Sequence, residues 1–252
     1  MERTFFEWVV YIVQDYGTLF LKGAGITLFI ALVSTIVGFV IGLLIGAVRS
    51  IPLDTRHGKG IKYYLLRLVN TILLCYIEVF RGTPMMVQSI VIYFGMQEGL
   101  GIDFAPMTAG LIIVSLNTGA YMAEVVRGGI ESIDPGQTEA AKALGMTHWQ
   151  TMMNVIFPQT IRNILPATGN EFVINIKDTS VLNVISVSEL FFMTKSVKGI
   201  AFRTYETFFV AGVIYLVMTI SVTQLLKLIE RRMDGPDSYS IKAVEQRRTK
   251  AR

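Results

Sequence analysis

Residues 24–48 contain no Asp, Glu, Lys or Arg, and Arg49 closes the run. About 25 uncharged residues coil into a helix long enough to cross a bilayer with some tilt. Gly38, Gly42 and Gly46 recur every fourth residue inside it, the small-xxx-small spacing that lets a second helix approach closely. A chain holding such a stretch must place the rest of itself around a membrane. The composition agrees, with 52% hydrophobic and 17% charged residues, against about 25% charged in soluble domains. At 252 residues a single domain, 1–252, is expected.

Before this run, Glu2, Arg3 and Glu7 flank only a short apolar stretch, and Asp15 and Lys22 follow it. That is not a cleavable signal, and the first span is expected to be an uncleaved anchor. The loop 49–67 holds Arg49, Arg56, Lys59, Lys62 and Arg67 against Asp54. It reads as cytoplasmic, which puts the N-terminus outside. The second apolar segment, 68–96, is interrupted by Glu78, by Arg81-Gly82-Thr83-Pro84 and by Gln88. A charged break in a span is tolerated only against protein or a cavity, so it is either a kink or a solute contact.

Residues 97–106 carry no Lys or Arg and read as an outside loop. The third span, 106–123, is expected to place Asn117, Thr118 and Tyr121 one helical turn apart on one face, either to bond neighbouring helices or to face a pore. Glu124 and Arg127 mark the return to the cytoplasm. The fourth span, 164–187, carries Asn170, Glu171, Lys177, Asp178, Thr179 and Ser180. Charges at that depth mark functional sites or interhelical ion pairs. Residues 188–206 fall outside by parity although Lys195, Lys198 and Arg203 lie there. The fifth span is 207–226. The basic tail after it is cytoplasmic, with 233–252 expected to be flexible past Asp234-Gly235-Pro236-Asp237. The expectation is an all-α membrane protein of five transmembrane helices, N-terminus outside and C-terminus cytoplasmic.

The longest polar helical segment is 134–158. Asp134 is an N-cap with Pro135 at the first helical position and Gln137 at the capping-box position. Glu139 to Leu144 are good helix formers, and Gly145 suits a left-handed C-terminal turn. Thr147 and Gln150 repeat the capping-box pattern. Trp149, Met152, Met153 and Ile156 give the second helix one apolar side, and Pro158 is expected to end it. This is a helical hairpin between spans.

Other chemistry finds little purchase. There is no Gly-x-x-x-x-Gly-Lys-Ser/Thr phosphate loop, so ATP would be hydrolysed by another chain. His57 and His148 are isolated and no His-Glu-x-x-His occurs, so no metal site is expected. Cys75, the one cysteine, reads as a small packed residue. No basic stripe with interleaved aromatics speaks for nucleic acid. No nucleophile set is present, and a membrane-embedded enzyme using the charges of the fourth span, or a membrane scaffold, stays open on these residues.

Three motifs carry a resemblance: Arg81-Gly82-Thr83-Pro84; Glu139-Ala140-Ala141 with Gly145, Ile156 and Pro158; and Asn170-Glu171-Phe172 with Lys177-Asp178-Thr179-Ser180. Together, over residues 17–232, the chain resembles the permease subunits of polar amino-acid ABC importers, the class for histidine, glutamine, glutamate or arginine. The resemblance implies a type I ABC importer permease fold in the bacterial plasma membrane. It implies an EAA loop at 134–158 that docks on an ATPase, with Glu139, Ala140, Ala141, Gly145 and Pro158 as its coupling residues. It further implies a second permease subunit, an ATPase dimer that carries ATP and Mg while this chain binds no cofactor, and an extracellular solute-binding protein. An amino acid in transit needs partners for both its charges. Lys177 and Asp178 are candidates, with Gln88, Asn117, Thr118, Tyr121 and Ser180 as neutral pathway residues.

Overall fold

The computed structural model describes residues 3–51 and 60–233, and every described element is helical. Arg56, His57, Lys59 and the tail from Asp234 lie outside the described residues.

Helix α1 runs from Phe5 to Arg49 without interruption. It starts on a Thr4–Glu7 capping box. The first span is thus the second half of one 45-residue helix. Asp15 and Lys22 do not end it, because both lie on its exposed side while Ile12 and Phe20 are buried. A helix of that length rises about 67 Å at 1.5 Å per residue, well beyond a hydrocarbon core of about 30 Å.

Helix α2 (Ile61–Gly82) stops where Thr83 turns extended, and α3 (Met85–Phe94) restarts after Pro84. A π turn, Gly95–Gly99, prolongs α3 into the stretch expected to be loop. Helix α4 (Pro106–Glu131) is the most enclosed element, and it packs along α1. A Cβ at Gly38 would sit 2.6 Å from Thr118, at Gly42 2.6 Å from Met122, and at Gly46 2.3 Å from Val126. The every-fourth-residue glycines of α1 therefore meet an every-fourth-residue row on α4, with the backbones drawn together.

Helix α5 (Pro135–Ala143) and the short α6 (His148–Thr151) form the polar hairpin. The expected stop at Pro158 does not occur. Chain direction persists through a π turn, Met152–Ile156, into α7 (Phe157–Asp178). Proline lacks an N–H and its ring crowds the carbonyl four residues back. Here the turn just before it is widened, so that Phe157 N–H donates to the Met152 carbonyl, and Pro158 falls in the first turn of the resumed α-helix, where no N–H is missed. A 3₁₀ turn, Thr179–Ile185, ends α7.

Residues 188–206 are not a plain loop. Glu189 caps helix α8 (Leu190–Ala201) through the Phe191 and Phe192 N–H groups, and α8 buries Leu190, Thr194 and Val197. It is bent 56° from the helix before it. Helix α9 (Thr204–Met233) closes the bundle against α1 and α7. Among the described residues four helices are long and apolar enough to span a membrane, or five if the bent pair counts as one span. Cys75 is exposed on α2 rather than packed, because α2 buries little beyond Ile77.

Candidate functional site

The break between α2 and α3 is held by side chains. The Gln88 amide N–H₂ shares its protons among the Phe80 carbonyl at 2.8 Å, the Thr83 carbonyl at 2.9 Å and Thr83 Oγ1 at 2.8 Å. Its carbonyl accepts from Asn117 Nδ2 at 2.9 Å. A helix that stops leaves its last carbonyls without partners, and Gln88 supplies them from the next helix. Thr83 Oγ1 also donates to the Val79 carbonyl at 2.7 Å.

Around this break lies a cavity of about 470 Å³, lined by Arg81–Met85, Asn117, Tyr121, Glu171, Ile174 and Asp178. Arg81 stands over the Tyr121 ring, 5.6 Å from its centroid. Glu171, Ile174 and Asp178 follow i, i+3, i+7 spacing, one face of α7. Polar groups from α2, α4 and α7 thus meet in an otherwise apolar bundle.

Thr118 points away from that cavity. It is fully buried and bonds Asn175, with Oγ1 to Oδ1 at 3.2 Å and Nδ2 to Oγ1 at 3.0 Å. Asn175 also donates to Thr35 at 2.9 Å, so one amide ties α1, α4 and α7. Neighbouring residues on a helix diverge by about 100°, which separates Asn117 from Thr118. Lys177 is exposed and does not line the cavity. Ser180 is half-buried in the 3₁₀ turn, its carbonyl accepting from Asn183 Nδ2 at 2.7 Å. Arg81 and Glu171, weighed only as part of a charged break and among the charges of the fourth span and not named as pathway residues, both line the cavity; the seven-residue step from Glu171 to Asp178 was the available signal.

The hairpin is built locally. Asp134 accepts from the Gly136 N–H at 2.7 Å rather than forming a box with Gln137. At Thr147 both bonds of the box with Gln150 form. Gly145 takes φ +78°. Its N–H donates to the Lys142 carbonyl at 2.9 Å, and the Met146 N–H to the Ala141 carbonyl at 3.1 Å, a Schellman turn. Ala141 is buried, while Glu139, Ala140, Gly145 and Pro158 are exposed. The apolar residues of the second helix do not share one side. Met152 and Ile156 pack on Ile133, whereas Trp149 is 62% and Met153 45% exposed. With Leu144 at 82%, they leave an apolar surface on the hairpin.

Above the hairpin, Arg49 Nη1 donates to Glu124 at 3.0 Å, and Arg127 bridges Glu124 at 2.9 Å and Glu131 at 2.7 Å. These charges tie the end of α1 to the last turns of α4.

Such a bundle, with a stapled helix break, an open polar cavity beside it and an exposed hairpin, has the build of a membrane permease. The model of the family described as "Binding-protein-dependent transport system inner membrane component" matches residues 59–235. The chain is 39% identical over 218 residues to the glutamine transport system permease protein GlnP of Escherichia coli (strain K12), covering 85% of this chain and 93% of that one. It is 32% identical over 217 residues to the arginine transport system permease protein ArtQ of Bacillus subtilis (strain 168), covering 86% and 93%. A crystal structure of an amino acid ABC transporter with histidines superposes with TM-score 0.76 at 37% identity, over 92% of this chain and 100% of that one. An inward-facing MetNI methionine ABC transporter structure, at TM-score 0.68 and 18% identity over 85% and 95%, shares the fold. The chain belongs to the family of binding-protein-dependent transport system inner membrane components. It is the permease subunit of an ABC importer, a transporter subunit whose ATPase is a separate chain.

Proposed function

We propose that this chain lines the transmembrane pathway for a polar amino acid. The observation that carries this is the meeting of the Arg81–Pro84 break, Asn117, Tyr121, Glu171 and Asp178 around one cavity. The named substrates of the relatives, glutamine and arginine, support the solute class. Asn117, Tyr121 and Asp178 contact the solute. Gln88 and Thr118 hold the helices that shape the site. Lys177 and Ser180 extend the polar surface to where a second permease subunit, identical or not, completes the pathway. The whole chain, 1–252, acts as one domain in the bacterial plasma membrane, crossing it five times, with the N-terminus outside and the C-terminus cytoplasmic. The ion-paired basic end of α1 at Arg49 supports that orientation.

The hairpin 134–158 docks on an ATPase dimer that carries ATP and Mg. Leu144, Trp149 and Met153 supply apolar contact, and Glu139 and Ala140 meet the groove from α5. Buried Ala141 and the turn at Gly145 keep the two helices at a fixed angle, and Pro158 lies where the hairpin joins α7. ATP-driven closure of the dimer moves the hairpin as a lever. Since α6, the π turn and α7 are continuous, the motion reaches the face carrying Glu171 and Asp178. A solute-binding protein delivers the amino acid from outside.

Reconstitution in liposomes with the copurifying ATPase tests this reading. Binding protein loaded with an amino acid is expected to raise ATP hydrolysis and drive uptake. A well-folded complex unaffected by any loaded binding protein would overturn it.

A further inference from the structure

Arg3 and Arg203 converge on one indole. The Arg3 guanidinium stands 4.9 Å from the Trp8 ring centroid and 4.2 Å from that of Tyr11, and the Arg203 guanidinium 4.5 Å from that of Trp8. Both arginines are exposed. Among the described residues neither is ion-paired, and the buried Trp8 Nε1–H meets no acceptor. The acids of this level are placed otherwise. Glu7 accepts from the Thr4 N–H at 2.7 Å, Asp15 adjoins Tyr11, and Glu206 bonds neither arginine. Two like charges held over one ring are a repulsive arrangement that a bridging anion relieves.

From this level a groove of about 460 Å³ runs inward between α1 and α9. Val9, Val13, Gly17 and Leu21 wall one side, Phe209 and Val213 the other, and no polar side chain lines it. The two helices run in the same direction here. Phe5 meets Tyr205 and Phe209, both at 5.3 Å between ring centroids, and Val13 and Val213 share the groove further in. The positive ends of both helices therefore lie beside the arginines and favour an anion there. Phe6, Phe202 and Tyr205 are exposed at the same end, as in the aromatic belt at the headgroup level of a bilayer. Gly17 leaves the floor of the groove bare. A Cβ there would meet nothing within 4 Å, so helix packing does not call for glycine, which weakens a helix interior.

We infer that this is a binding site for an anionic phospholipid, with its phosphate at Arg3 and Arg203 and one acyl chain along the α1–α9 groove. The dimensions agree. From Val9 to Leu21 α1 rises about 18 Å, against about 15 Å for one leaflet of a hydrocarbon core. Guanidinium groups take phosphate oxygens in bidentate pairs, and both are held on the Trp8 ring at the mouth of the groove. Phosphatidylglycerol suits the two cations, whereas phosphatidylethanolamine would bring an ammonium toward them. The site is separate from the solute pathway, since none of its residues lines the cavity at the α2–α3 break.

Native mass spectrometry of the permease–ATPase complex, equilibrated with equal amounts of phosphatidylglycerol and phosphatidylethanolamine of the same chains, tests the site. At about five-fold per arginine near an anionic headgroup, phosphatidylglycerol is expected to be retained about five-fold or more over phosphatidylethanolamine. Arg3→Gln combined with Arg203→Gln should bring the ratio close to parity. Gly17→Leu should lower retention of both lipids, because its side chain enters open space in the groove rather than packed atoms. Lys195→Gln, removing a cation that bonds Asn183 instead, is the charge control and should leave the ratio unchanged. Full subunit stoichiometry in the same spectra is the assembly control. Equal retention of the two lipids by the unaltered complex, a preference that survives loss of both arginines, or unchanged retention in Gly17→Leu would overturn the site. So would a Gly17→Leu complex that sheds a permease chain, which would make the groove the seat of a protein partner.

Discussion

The α1–α4 seam and the 134–158 hairpin are both helix pairs, but they are held together by opposite means. The seam depends on what is absent: three glycines let Thr118, Met122 and Val126 close to within 2.6 Å of where a Cβ would stand. Its polar ties are Asn175 of α7, bonded to Thr35 and Thr118, the Ser34 hydroxyl donating to the Leu111 carbonyl, and the Arg49–Glu124 pair at its end. The hairpin depends on its own sequence, on an Asx cap, a Schellman turn and a capping box, and keeps Leu144 and Trp149 exposed. The seam is therefore shaped by contact between distant segments, and the hairpin mostly by contacts within a few residues of one another, as the lever proposed above would require.

Substitutions that respect one region and injure the other test that contrast. Gly42→Leu should have the largest effect, since the added side chain begins 2.6 Å from Met122 and meets backbone. A loss of about 3 kcal/mol or more is expected, seen as failure of the complex to survive purification; a normal melting temperature would show that the seam can open. Next, Asn175→Ala leaves Thr118 and Thr35 without their shared partner. It should cost about 1–3 kcal/mol, read as a lowered melting temperature in detergent with the hairpin still protected from hydrogen exchange.

In the hairpin, Gly145→Ala forces a Cβ into a left-handed turn at φ +78°, about 1–2 kcal/mol. The melting temperature of the body should hold, while the ratio of solute carried to ATP hydrolysed falls; an unchanged ratio would deny the turn its role as a fixed angle. The smallest change is Thr147→Ala, about 1 kcal/mol from the lost cap. It should appear only as faster amide exchange at His148 to Gln150, and a global loss of stability would show the lever to be part of the body.

The hairpin was the most legible region because its determinants lie within a few residues of one another. Gly145 and the Thr147–Gln150 box follow from local rules alone. Asp134 is the N-cap as expected; the box with Gln137 does not form because the Asp134 carboxylate accepts from the Gly136 N–H. Pro158 misled for a related reason: the rule that proline breaks a helix holds for α geometry, and the chain changes geometry before reaching it. The cavity was less legible. Asn117 and Thr118 are adjacent yet serve a helix break and a helix seam respectively, a division that depends on where α2 bends and α1 packs. Glu171 joins Asp178 only once α7 is known to run unbroken from one to the other. In α1, Asp15 and Lys22 masked 19 residues of helix before the first uncharged run, 5–23, since both charges face outward.

The π turn at Met152–Ile156 has one more consequence. A turn closed over five residues rather than four advances the helix by an additional residue, so every side chain beyond it is rotated by about 100° relative to an uninterrupted helix. The azimuth at which Glu171 and Asp178 meet the cavity is thereby set some fifteen residues upstream, beside the hairpin. The turn works as a phase offset: it lets the hairpin end and the cavity end of one continuous helical run each address its own neighbours, which the proposed transmission of movement along that run would require.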